Sequence, residues 1–95
     1  MIVPCEVLEE LTENFVGKRG PRSIPLWVCL DRTPDGGALR NTFDYEVNAD
    51  EQEKLAGKVA GGFVEIIVTE IRAGFGGRVR CKGRVAKFAG EEFQR

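Results

Sequence analysis

The chain contains no histidine. That absence excludes His-based catalysis and every His-containing metal site. Cysteine is sparse: Cys5, Cys29 and Cys81 form no CxxC pair, and their odd number argues against a secreted disulfide framework. Three widely spaced cysteines alone fall short of a structural zinc site, which would need a carboxylate or a partner subunit to complete it, and each lies in an apolar stretch that predicts buried packing. No apolar run approaches the ~18 residues needed to span a bilayer. The acidic segment after Met1 also lacks the cationic start and apolar centre of a signal peptide. The expected setting is cytoplasmic, away from membranes. Enzyme signatures are missing as well. Gly74-Phe75-Gly76-Gly77 lacks the spacing and following helix of a dinucleotide site, and neither Gly17-Lys18 nor Gly57-Lys58 has the Ser or Thr and glycine spacing of a P-loop. Carboxylate pairs such as Glu9 with Glu10 and Asp50 with Glu51 sit in charged runs typical of solvated surface. A non-enzymatic protein is expected, with no catalytic residue, cofactor or metal.

What is present describes one ordinary domain spanning 1–95. With 42% hydrophobic and 31% charged residues, the chain can bury one core but not two. The net charge of −1 gives no support to nucleic-acid binding, but the charges are segregated. Before Gly17 they are all acidic, Glu6, Glu9, Glu10 and Glu13. From Arg72 to Phe88 they are all basic: Arg72, Arg78, Arg80, Lys82, Arg84 and Lys87. Such segregation creates a local positive field, unless the two segments lie side by side and neutralise each other.

Five strands and a helix are legible. Val3, Cys5 and Val7 alternate as in a strand, while Leu8, Leu11 and Phe15 have helical spacing; a long first strand with a bend or bulge reconciles the two. Gly17 to Ser23 reads as a mobile basic loop carrying Lys18, Arg19 and Arg22. Pro25 to Asp31 predicts a largely buried second strand, with Leu26, Val28 and Leu30 on one face and Trp27 opposite in phase. Thr33-Pro34-Asp35-Gly36-Gly37 suits a tight reversal. The return strand puts Leu39, Asn41, Phe43, Tyr45 and Val47 on one face and the acids Asp44 and Glu46 on the other. Asn48 and Glu51 have the spacing of a reciprocal cap, opening a short helix that buries Leu55 and Val59. Phe63 to Ile71 is rich in β-branched residues and predicts the fourth strand. Arg72 to Arg78 reads as a glycine-rich hairpin tip, and residues 89–95 as a frayed polar tail.

The fifth strand is the most distinctive, because Arg78, Arg80, Lys82 and Arg84 alternate with small or apolar residues. On a strand these cations project from one face about 6.5 to 7 Å apart, twice the rise per residue, which resembles the phosphate repeat of an extended nucleic-acid strand. A solvated sheet face, or protection of an edge strand, accounts for the same pattern. Three strands, a helix and two more strands form the order of the OB-fold, a five-stranded Greek-key barrel with one short helix between strands 3 and 4. Its first-to-second and fourth-to-fifth loops flank the usual binding face, and here both are cationic. Phe75, between two glycines at a hairpin tip, is placed to stack on a base, and Trp27 is a second aromatic candidate. A fold-back of Phe75 onto the core, a dimer contact at Phe75 and a core role for Trp27 remain open alternatives.

Residues 48–88 resemble the second half of the gene V proteins, the small single-stranded DNA-binding proteins of filamentous phages. The likeness lies in the acidic turn at Asn48, Gly62-Phe63-Val64-Glu65-Ile66, Arg72-Ala73-Gly74-Phe75-Gly76-Gly77, and the basic strand ending Val85-Ala86-Lys87. Residues 1–47 match only in element order, and the family's repeated tyrosines have no counterparts beside Tyr45. The resemblance implies single-stranded DNA binding in the setting of DNA replication, an aromatic DNA contact at Phe75, and pairing as a homodimer. The expected function is a single-stranded nucleic-acid-binding module, DNA before RNA, with low sequence specificity. Lys18, Arg19, Arg22, Arg72, Arg78, Arg80, Lys82 and Arg84 would meet phosphates, and Phe75 and Trp27 would meet bases. Neutralising about six phosphates predicts a log–log salt slope near −4. The competing expectation is an OB-fold assembly subunit that docks on a protein through the same cationic strand.

Overall fold

The alternation of Val3, Cys5 and Val7 opens the first strand of the computed structural model, β1 (Ile2–Gly17), with all three side chains buried. The structure describes residues 1–35, 39, 42–88 and 91–92, with Phe75, Glu91 and Glu92 described by their backbone alone. β1 pairs antiparallel with β2 (Gly20–Asp31), and their register shifts between Val7 and Glu9. This is the expected bulge, and it re-phases the strand. Beyond it Glu9, Leu11, Glu13 and Phe15 lie opposite Val28, Leu26, Ile24 and Arg22 on one face.

Two readings of this region need correction. The segment from Gly17 to Ser23 is not a mobile loop. Pairing continues through Asn14 with Ser23, Phe15 with Arg22 and Gly17 with Gly20, leaving only Lys18 and Arg19 as the turn. In β2, Trp27 and Cys29 point into the core, whereas Val28 and Leu30 are half-buried on the opposite face. An apolar run with no polar face leaves its phase to the neighbouring strands, and the larger ring took the inside.

The chain then turns at Pro34 and Asp35, with the Asp31 carboxylate accepting the amides of Thr33 at 2.8 Å and Leu39 at 3.0 Å. Gly36, Gly37, Arg40 and Asn41 of the expected reversal and return strand lie outside the described residues. β3 (Thr42–Glu46) buries Phe43 and Tyr45 and turns Asp44 and Glu46 to the other face. Asn48 caps α1 (Ala49–Leu55), its side-chain oxygen accepting the Glu51 amide at 3.0 Å. The Glu51 side chain turns into the core. It is fully buried, accepting hydrogen bonds from the Tyr45 hydroxyl and from the Val85 amide at 2.5 Å. Leu55 and Val59 are buried as expected.

β4 (Phe63–Ala73) and β5 (Val79–Phe88) form the last long hairpin. At its tip a single turn of 3-10 helix covers Phe75–Gly77, and Gly76 and Gly77 take φ of 72° and 79°, which disfavour a Cβ. Glu91–Glu92 forms β6 against Lys87 and Phe88, in the segment read as a frayed tail. β1 pairs with β4, and β3 runs parallel to β5 through Asp44 with Arg80 and Tyr45 with Cys81. The five longer strands therefore close into a ring in the order β1-β2-β3-β5-β4. The mainly β architecture with one short helix after the third strand is as read from the sequence. Among the described residues, no helix is long and apolar enough to cross a membrane.

Candidate functional site

The bulge in β1 and the hairpin turn in β4–β5 bring two distant parts of the sequence together. Glu13, Phe15 and Ile24 from the β1–β2 hairpin, with Arg72, Ala73, Gly74 and Arg80 from the β4–β5 hairpin, line a concavity of about 310 Å³. Toward β3 it adjoins a concavity of about 420 Å³ with apolar walls of Leu11, Leu26 and Val28 and a charged rim of Glu9, Glu13, Asp44, Arg78 and Arg80. Toward the β1–β2 turn lies an open space of about 490 Å³ lined by Phe15, Gly17, Lys18, Arg19 and Arg22. Glu13 and Arg80 are common to the first two spaces, and Phe15 to the first and third. The three adjoin along one groove, with the Glu13–Arg80 pair standing between the first two.

The cationic strand lines this groove, but its charges are largely answered from within the protein. Arg78 donates from Nε and Nη2 to the two Asp44 oxygens at 2.8 and 2.6 Å. Arg80 donates from Nη1 and Nη2 to the two Glu13 oxygens at 3.1 and 2.7 Å. Lys82 lies 3.7 Å from Glu46, which also accepts from Arg72 at 2.8 Å. The hydrogen bonds from Arg80 hold the Glu13 carboxyl below its ordinary range against the opposing effect of burial, and raise Arg80 itself. Arg78 is raised in the same way by Asp44. Neutralisation thus comes mainly from β3; of the first segment, Glu13 forms an ion pair with the ladder and Glu9 adds a through-space attraction to Arg78. Glu6 instead pairs with Arg32 at 2.6 Å, and Glu10 accepts the Gly57 amide at 2.9 Å.

Lys18, Arg19 and Arg84 have no ion-pair partner among the described residues, and Arg22 lies over the Phe15 ring at 5.9 Å from its centroid. Arg84 is exposed but does not line the groove. Trp27 is corrected as a stacking candidate: it is 1% exposed and packs on Tyr45 with ring centroids 5.4 Å apart. A base could reach it only by opening the core. The Phe75 backbone sits at the β4–β5 tip as expected, and its side chain lies outside the described part of the structure.

Among the described side chains, the exposed aromatic in the groove is Phe15, at 38%, which reading from sequence did not single out. Its signal was the alternation Glu9, Leu11, Glu13, Phe15, hidden because Leu8 shifts the phase set by Val3, Cys5 and Val7. The three cysteines are buried as expected. Hydrogen bonding with Cys5 and burial raise the Cys29 thiol, and burial raises Cys81 to about 11. Cys29 and Cys81 therefore stay protonated near neutral pH. No family model, curated protein or solved structure matches the chain.

Proposed function

We propose that the chain is an OB-fold module that binds single-stranded nucleic acid, DNA before RNA, with little sequence preference. Five strands in a ring, a helix between the third and fourth, and two opposed hairpins on one side are consistent with that fold and its usual binding face. The observation that carries the reading is the groove itself. Phe15 and the unpaired cations of the β1–β2 turn share it with the basic β4–β5 hairpin. A base stacks on Phe15, Arg22 adds charge beside the ring, and Lys18 and Arg19 meet the adjoining phosphates. The likeness of residues 48–88 to the gene V proteins favours DNA and a paired, dimeric form, with the Phe75 contact on the facing hairpin.

The ion pairs revise the salt dependence. With Arg78, Arg80 and Lys82 engaged by carboxylates, Lys18, Arg19 and Arg22 are the cations ready for phosphate. About three phosphates on a single strand give a log–log salt slope of about −2, half the value expected from an unpaired ladder. Fluorescence anisotropy of a labelled oligothymidine, titrated at several salt concentrations, tests this. Binding at low salt with that slope is expected, and Phe15→Ala should lose about 1–3 kcal/mol of binding free energy. Absence of binding at low salt overturns the reading.

A further inference from the structure

We infer that the Glu13 carboxylate is a stand-in for a phosphate at Arg80, and that nucleic acid binds by taking its place; this rests on the nucleic-acid reading above. The two arginine pairs that look alike differ in which edge of the guanidinium they use. Arg78 presents Nε and Nη2 to Asp44, so the side edge of its fork is filled. Arg80 meets Glu13 through Nη1 and Nη2, the far end of the fork. Its Nε is buried without a hydrogen-bond partner among the described residues. An orphaned buried donor is unfavourable, and a guanidinium that turned its side edge to a phosphate would relieve it. Arg78 has nothing to gain from such a change.

The two acids differ in the same direction. The Asp44 side chain, on the outer face of β3, is 9% exposed and the Glu13 side chain 35%, whereas the arginines run the other way, Arg78 at 40% and Arg80 at 12%. β4 pairs with β1 only from Ile2 to Glu6. Among the described residues, β1 beyond Val7 bonds along its length to β2 alone, with Glu10 to the Gly57 amide and Glu13 to Arg80 as side-chain ties to the rest of the fold. Glu13 is therefore the acid that can withdraw. Its pair with Arg80 also stands where the 310 and 420 Å³ spaces meet, so withdrawal joins them into an unbroken path for a strand.

The test compares oligothymidine binding by the unsubstituted protein, Glu13→Gln and Glu6→Gln. The last removes the same charge from a pair with Arg32, outside the groove. Glu13→Gln should bind about two- to fivefold more tightly, the scale of one screened ion pair that no longer has to break. Its salt slope should steepen by about 0.7, because the displaced Glu13 carboxylate takes up a cation that offsets the one released at the phosphate, and the neutral Gln does not. Glu6→Gln should show neither change. Equal behaviour of the two variants, or tighter binding by Glu13→Gln with an unchanged slope, overturns the exchange while leaving the function standing. If none of the three proteins binds, both fall. Unchanged Trp27 emission confirms that each variant is folded.

Discussion

Glu51 shows how far a single side chain can depart from its local sequence pattern. Spacing from Asn48 marks it as a capping residue, and half of that pattern is realised through its amide. Its carboxylate instead ties α1 to β3 and β5 at zero exposure. Those partners are six and thirty-four residues away, so no local rule could have found them. Truncation removes the carboxylate that accepts from the Tyr45 hydroxyl and the Val85 amide, at about 1–3 kcal/mol for each bond. Glu51→Ala should therefore lose about 2–5 kcal/mol in urea unfolding, and Glu51→Gln, which keeps one acceptor, should lose less. The same distinction governs the ladder. That Arg78 and Arg80 are charged and outward was legible; that Asp44 and Glu13 occupy them depended on pairings across the ring.

At the scale of elements, legibility followed how many faces a strand had to satisfy. β3 was readable because Phe43 and Tyr45 alternate with Asp44 and Glu46. β4 was readable from its β-branched run, with Val64, Ile66 and Val68 inside. β2 was not, because apolar residues occupy both of its faces, and β1 was obscured by one extra residue at the bulge. β5 holds a further constraint that composition does not reveal. A Cβ on Gly83 would lie 1.8 Å from the Ile67 carbonyl oxygen and 3.1 Å from the Val68 Cα, both backbone atoms of β4. The strands approach so closely there that glycine is required. Gly83→Ala should lower stability by more than about 3 kcal/mol or prevent folding, measured by urea unfolding and soluble yield. Little change would mean that β5 crosses β4 elsewhere.

For the whole molecule, one core serves every strand of the ring. Cys5, Cys29 and Cys81 come from three different strands and share that core, so their reactivity reports on global opening. In native buffer a thiol reagent should label none of the three rapidly. In urea all three should react, with a midpoint that coincides with unfolding followed by Trp27 emission. Rapid native labelling of one thiol would show that its strand opens independently. The five long strands, the helix position and the β4–β5 hairpin could be read from the chain, whereas β6, the pairing of the β1–β2 hairpin up to its turn, and the groove between the hairpins required the bulge and the ring closure.

The parallel seam between β3 and β5 is short, Asp44 with Arg80 and Tyr45 with Cys81. Two acid–base contacts straddle it on the outside, Asp44 with Arg78 and Glu46 with Lys82. The cations that look from sequence like a ligand's counter-charge thus also act as a clasp. An engineer seeking higher affinity by stripping acids from this face faces unequal positions: removing the acid at 13 loosens a hairpin, while removing the one at 44 unfastens the cylinder.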